Sequence, residues 1–104
     1  MFRKMRRFKQ QITDEECRKI LAEEGRGVLS LFGEDGYPYG IPMNYFYDEG
    51  ENKIYFHCAK EGHKIDALKA NGKVSFCVLD KGTYSEDDWA CTLHSIIVFG
   101  EIHL

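Results

Sequence analysis

Apolar residues follow helical spacing at the start of the chain and extended spacing beyond it. From Ile12 to Gly25, apolar side chains at helical spacing share one face: Cys17, Ile20 and Leu21. Thr13 and Glu16 have the spacing of a capping box, which marks where this helix begins. We therefore expect an amphipathic helix that covers a core and carries no cluster of reactive side chains.

Extended segments begin at residue 28, where β-branched and aromatic residues become frequent. Five strands are predicted between turns rich in Gly, Asp and Asn: 28–32, 37–47, 53–58, 73–79 and 93–104. A short second helix is predicted over Gly62–Asn71, with Gly72 as its stop signal. Residues 80–91 are expected to form a polar loop.

The order of these elements indicates the fold class. A flat sheet of about five strands would leave two bare edges. Closing the antiparallel strands into a small barrel, plugged by the first helix, removes that problem. We expect a mainly β fold with helices (α+β), built as one domain.

Two prolines interrupt the second predicted strand. Pro38 and Pro42 have no N–H to donate, so this stretch is expected at an edge, a bulge or a break in the sheet. Gly40 between them favours the same interpretation. Such a strand exposes backbone N–H and C=O groups that a flat polar ligand can use. Simple protection of a sheet edge explains the residues equally well.

Composition excludes several classes of protein. The chain has 104 residues, 43% of them hydrophobic and 30% charged, with a formal net charge of −3. An acidic balance argues against general nucleic-acid binding. No apolar run approaches the roughly 18–20 residues of a membrane helix, and no secretory signal follows the basic start. Little volume remains for an enclosed ligand pocket, which favours a pocket shared between two subunits.

Four cysteines lie at long, irregular spacings that match no zinc motif: Cys17, Cys58, Cys77 and Cys91. His57–Cys58 and Cys91…His94 come near such a motif without completing one, so no metal is expected. Nothing points to secretion, and we expect free thiols in a reducing cytoplasm.

Residues 1–11 form a basic leader in an otherwise acidic chain. It is either an arm for an anionic partner or a solvated segment that packs its apolar residues on the body. Those apolar residues are Phe2, Met5 and Phe8. We prefer packing, because one short basic run is a weak signal.

The loop before the second helix carries the most informative polar residues. His63 and Lys64 lie in the first helical turn, where the helix dipole disfavours cations unless an anion is bound. Gly62 allows the backbone to approach a ligand closely, and phosphate is the natural candidate. The alternative is a solvent-facing loop in which Lys60 and Lys64 pair with neighbouring acidic residues.

No nucleophile, P-loop or dinucleotide-binding motif is present. Ser95 follows His94, but nothing orders them as a catalytic pair. If the protein is an enzyme, a bound cofactor must carry the reactive centre.

Four segments resemble the pyridoxamine 5′-phosphate oxidase-like flavoproteins, in particular their nitroimidazole-resistance (Nim-type) branch. They occur in the family's order: Ile12–Glu16, Gly40–Tyr45, Ile54–Lys64 and Ser95–Gly100. Together they extend over nearly the whole chain, and the stretch from His57 to Lys64 is the most specific.

The resemblance implies a split β-barrel of five to six strands, residues 1–104 forming one domain that binds FMN at a homodimer interface. It implies that one backbone segment runs along the isoalloxazine ring: Pro42, Met43, Asn44 and Tyr45. His63 and Lys64 would take the place of the family's phosphate-binding pair. Relatives usually continue with a further helix and a closing strand, so the C-terminal part of the usual fold is expected to be absent.

Further site residues follow from the same resemblance. Cys58 and Ala59 would line the approach to the phosphate. Ser95 would lie across the flavin ring, on a neighbouring strand. Lys60 or His57 would lie near the flavin N1 and tune its chemistry.

The resemblance implies an FMN-dependent oxidoreductase that reduces a small organic acceptor, with a nitro compound as one candidate. The alternative is a non-catalytic ligand- or haem-binding barrel, with an axial ligand chosen from four residues: His57, Cys58, His63 and His94. A nucleic-acid partner for the basic leader is the third and weakest hypothesis.

Overall fold

The structure is a computed structural model that describes residues 2–6, 11–57, 61–84 and 91–104. Its helices are α1 (Asp14–Glu23) and α2 (His63–Ala70). Its strands are β1 (Arg26–Phe32), β2 (Pro38–Asp48), β3 (Lys53–Phe56), β4 (Lys73–Leu79), β5 (Thr83–Tyr84), β6 (Cys91–Thr92) and β7 (Ser95–Glu101). Both predicted helices and all five predicted strands are confirmed. The predicted polar loop instead contains a small hairpin, β5–β6.

Helix α1 begins as its sequence predicts. The Thr13 hydroxyl accepts a hydrogen bond from the Glu16 N–H at 3.1 Å, which satisfies one of the free donors at the helix start. At the other end, the Tyr45 hydroxyl donates to the Leu21 carbonyl at 2.8 Å. The helix is therefore fixed to β2 through one of its last carbonyl groups.

Five antiparallel strands form one sheet in the order β3-β2-β1-β4-β7. The sheet curls into a half-barrel, which confirms the α+β split-barrel prediction. Its outermost strands are β3 and β7. Within the described ranges no helix combines the length and apolar content needed to cross a membrane.

Alternate residues of the strands in the five-stranded sheet form the core on its concave face. Leu29 of β1 and Val78 of β4 are almost completely buried. Helix α2 adds Ala67 and Leu68 to this cluster, and α1 adds Leu21. The sequence predicts that the first helix plugs the barrel. In the structure both helices cover the core, and α2 contributes more buried residues than α1.

Phe76 is the central aromatic side chain of the core. It meets the rings of Tyr45 and Phe56 edge-on, with centroids 5.1 Å and 4.9 Å away. Its ring also lies over Gly27, where an added Cβ would come within 2.6 Å of both the Phe76 ring and the Cys77 carbonyl. Gly27 is therefore required for β1 and β4 to approach this closely.

We expect Gly27→Ala to lower the free energy of unfolding by about 1–3 kcal/mol, the usual range for overpacking. Urea denaturation measures the loss. Gly25→Ala is the matched control, because nothing lies within 4 Å of an added Cβ at that position. Equal stability of the two variants would contradict the close packing described for Phe76.

Candidate functional site

The first half of β2 is a free edge of the sheet. Residues Pro38–Asn44 pair with β1 on one side, whereas β3 pairs only with Tyr45–Asp48. Among the described residues, no strand lies on the other side of Pro38–Asn44. The two prolines predict an edge, a bulge or a break, and the structure shows an edge. Strand β2 itself continues without a break from Pro38 to Asp48.

The start of α2 presents backbone donors that have no acceptor within the helix. Gly62, the N-cap, has φ 132° and makes no side-chain capping bond. The first helical bond runs from the Asp66 N–H to the Gly62 carbonyl at 3.0 Å. The N–H groups of residues 63–65 therefore have no acceptor within the helix. Nothing lies within 4 Å of an added Cβ at Gly62, so a ligand can approach this turn.

The helix start and the free edge lie against each other. The His63 ring stacks on Tyr39 of β2, with centroids 4.7 Å apart and planes at 17°. The Lys64 Nζ is 3.7 Å from the Met43 Sδ. The structure thus brings together two segments that the sequence predicts for one site, and it does so through side chains on the concave face.

Lys64 is half-buried and makes no ion pair in the described part of the chain. The alternative prediction, in which it pairs with a neighbouring carboxylate, is not observed. Its ammonium group lies on the same first turn as the N–H groups that have no acceptor within the helix, and Asp66 is the acidic residue of that turn. An ammonium group and backbone N–H groups together are donors that suit a phosphate.

The other predicted site residues have different positions. Cys58, Ala59 and Lys60 lie outside the described residues. Tyr45 faces the core, where burial raises the pKa of its hydroxyl to about 12, so it remains a protonated donor to the Leu21 carbonyl. Ser95 begins β7, with β1 and β4 between it and β2. Within one chain, Ser95 therefore lies away from the predicted site residues of β2.

A cavity of about 860 Å³ opens on the concave face between β3, α2, β4 and β7; we call it the inner groove. Buried and half-buried apolar side chains form its floor, and His57 lies in its lining. The sequence predicts little volume for an enclosed pocket, and it did not predict this open groove.

Asp80 and His94 hold the two ends of the segment between β4 and β7. The Asp80 carboxylate lies 2.7 Å from the His94 Nδ1 and accepts the N–H groups of His94 and Gly82 at 3.1 Å and 3.0 Å. These hydrogen bonds, those from His94 first, lower the pKa of Asp80. Sequence analysis considered His94 beside Ser95, but its partner is Asp80.

The convex face of the sheet carries an apolar row. Cross-strand pairing sets four residues in one row: Pro42, Val28, Cys77 and Ile97. Val28 is 43% exposed and Ile97 is 60% exposed. Phe2 of the leader stacks on Phe99 of the same face at 4.7 Å, as the packing hypothesis predicted. Met5 is exposed, and Phe8 lies outside the described residues.

Comparison with known proteins identifies the family. The family model described as pyridoxamine 5′-phosphate oxidase matches residues 13–104. The chain belongs to the pyridoxamine 5′-phosphate oxidase family. Among curated proteins, none matches the sequence.

Solved structures share this family fold. A conserved hypothetical protein from Mycobacterium tuberculosis superposes with a TM-score of 0.72 at 24% identity, over 88% of this chain and 52% of that one. A protein described as a candidate 5-nitroimidazole antibiotic resistance protein, from Bacteroides thetaiotaomicron, gives 0.74 at 22% identity, over 88% and 55%. An FAD-binding protein from Mesorhizobium loti gives 0.68 at 28% identity, over 86% and 58%. The chain therefore spans little more than half the length of these structures.

For this member of the oxidase family, the Asp80–His94 pair predicts an acid-sensitive contribution to stability. Because the pKa of Asp80 is lowered below its ordinary 3.8, the contribution is full above that value and is lost as the pH falls through the lower, folded-state pKa. Asp80→Asn should therefore cost stability at about pH 5 and much less at about pH 2.

Urea denaturation of both proteins at each pH measures this difference. Glu34→Gln, which removes an exposed carboxyl group in the β1–β2 turn, is the control and should show little change at either pH. A stability difference for Asp80→Asn that does not shrink in acid would contradict the assigned role of the carboxylate.

Proposed function

We propose that the protein is an FMN-dependent oxidoreductase of the nitroimidazole-resistance type, which reduces a small organic acceptor. The observation that carries this proposal is the contact between the free edge of β2 and the uncapped start of α2. Membership of the oxidase family and the FAD-binding neighbour support a flavin ligand. The 5-nitroimidazole resistance neighbour supports a nitro compound as acceptor.

The α2 start fits the phosphate of FMN. The three N–H groups without an acceptor in the helix, the Lys64 ammonium and the His63 imidazole are all donors, and a phosphate monoester dianion is acceptor-rich. The stacking of His63 on Tyr39 and the contact of Lys64 with Met43 hold both side chains near β2. In this proposal they orient the phosphate, and Gly62 leaves space for it.

The free edge of β2 fits the polar rim of the isoalloxazine ring. Proline is tolerated where its missing N–H would face away from a neighbouring strand. If Pro38 and Pro42 follow this rule, Gly40 and Asn44 have the same orientation, because alternate residues of a strand point the same way. The free edge then offers the N–H and C=O groups of Gly40 and Asn44 to the ring. Bound FMN supplies the electron transfer, and the chain anchors and orients it.

A homodimer completes this proposed site. The apolar row on the convex face is an exposed surface of the kind that self-association buries. Within one chain Ser95 is separated from β2, so we propose that Ser95 of the partner subunit lies across the flavin ring. Cys58, Ala59 and Lys60, and with them His57, remain predicted parts of the site.

We expect Lys64→Ala to weaken FMN binding by about tenfold to a hundredfold, because a hydrogen bond to a charged group contributes roughly 1.5–3 kcal/mol. Quenching of FMN fluorescence on titration measures the affinity. Lys69→Ala, which removes the same charge from the same helix about one and a half turns away, is the matched control. The phosphate assignment fails if both variants bind FMN as the native protein does.

We expect Ile97→Glu to weaken dimerisation at least about tenfold, because like charges brought together in an apolar interface cost several kcal/mol. Sedimentation velocity measures the oligomeric state, and released flavin measures the FMN content, which should fall with the dimer. Ala22→Glu on the exposed face of α1 is the control. A native protein that sediments as a monomer while retaining FMN would contradict the dimer.

A non-catalytic ligand-binding barrel is the second candidate, and the inner groove is the observation that favours it. Of the described histidines considered as haem ligands, His63 stacks on Tyr39 and His94 pairs with Asp80. His57 alone of these three lines the groove. A Soret band in the purified protein would support haem, whereas flavin bands released on denaturation would support FMN.

A further inference from the structure

The inner groove has a continuous apolar floor. Leu29, Met43 and Phe76 lie at its base and are buried. Half-buried apolar residues of four segments surround them: Ile54, Phe56, Val74, Val98 and Ile102. The half-buried side chains leave part of their surface facing a cavity of about 860 Å³, which is large enough for an extended hydrocarbon chain.

Helix α2 lines this groove with both apolar and positively charged side chains. Four of its residues lie in the groove lining: Lys64, Ile65, Leu68 and Lys69. Successive residues of a helix are about 100° apart around its axis. Leu68 and Ile65 therefore lie side by side, with Lys64 on one side and Lys69 on the other, and the four together span about 140° of the helix surface. Long lysine side chains add apolar stems to such a surface. The Lys64 ammonium lies 3.7 Å from the Met43 Sδ at the groove floor, and Lys69 is exposed.

The charge of the groove is opposite to that of the chain. Its lining contains three lysines and one glutamate, although the whole chain has a formal net charge of −3. The Lys53 Nζ is 4.0 Å from a Glu51 carboxylate oxygen, a weak exposed contact. In the described part of the chain, Lys64 and Lys69 form no ion pair. The groove therefore joins an apolar floor to Lys64 and Lys69, two cations with no ion pair among the described residues.

We propose that the inner groove binds a free fatty carboxylate, with its acyl chain on the apolar floor and its carboxylate at the lysines of α2. An apolar ligand without charge would use the floor and leave these cations unmatched. A small anion would use the cations and leave the floor exposed to water. A carboxylate with a hydrocarbon chain satisfies both parts of the groove.

This inference does not depend on the proposed flavin site. The two proposed sites share Met43 and Lys64, whereas Lys69 and the rest of the groove floor lie outside the free edge of β2 and outside the residues proposed to hold the phosphate. The full chain can therefore fail to bind FMN and still bind a fatty carboxylate, and the reverse also holds. Measuring both ligands on the same variants separates the two proposals.

The first experiment uses dansylaminoundecanoic acid, whose fluorescence rises on entering an apolar site. We expect the probe to bind, and laurate to displace it at concentrations about tenfold or more below those needed for dodecanol, because only laurate carries the charge. Shorter carboxylates should lose affinity by about fourfold per methylene removed. Absence of probe binding, or equal displacement by laurate and dodecanol, would overturn the proposal.

Lys69→Glu tests the position of the headgroup. Lys69 is exposed, so we expect the variant to fold, and circular dichroism checks this. Its laurate affinity should fall about tenfold or more, with dodecanol affinity and FMN affinity nearly unchanged. Lys19→Glu on α1 makes the same charge change away from the groove and should retain laurate binding. Equal laurate affinity in both variants, or sedimentation showing a second copy that blocks the probe, would overturn the assignment.

Discussion

The ring of Phe76 occupies the concave side of the sheet directly over Gly27, and much of the fold depends on that approach. Because β1 has no side chain at this point, the ring from β4 reaches far enough to meet Tyr45 of β2 and Phe56 of β3. One aromatic side chain thereby connects three other strands. The Tyr45 hydroxyl continues the connection to α1 through the Leu21 carbonyl.

The proposed flavin site is built on top of this cluster. Its two parts, the free edge of β2 and the start of α2, come from distant segments of sequence and meet through Tyr39, Met43, His63 and Lys64. The positive charge of the site is therefore fixed in place by packing contacts, not by ion pairs. Charges held in this way remain available to a ligand, because no carboxylate in the described residues competes for Lys64.

Sequence reasoning was most successful where the cause of a structure is local. The N-cap at Thr13 depends on a few adjacent residues, and the edge at Pro38 and Pro42 follows from a missing N–H. The pairing of Asp80 with His94 was not predictable, since it links residues on either side of a hairpin whose geometry no short motif records. The inner groove was missed for a related reason: its volume depends on how strongly the sheet curls. Family resemblance supplied the split-barrel class and the cofactor hypothesis, which spacing alone did not.

The apolar row on the convex face has a further consequence, for the register in which the strands pair during folding. In most antiparallel sheets a shift by one residue exposes the core face and buries polar groups, and that penalty selects the correct register. Here the penalty is weaker, because the outward-facing row through Val28 and Ile97 is apolar as well. Shape then contributes to selecting the register, because the native alignment sets the side-chain-free position of Gly27 beneath Phe76. The absence of a side chain at Gly27 thus helps to specify the register in which β1 pairs with β4.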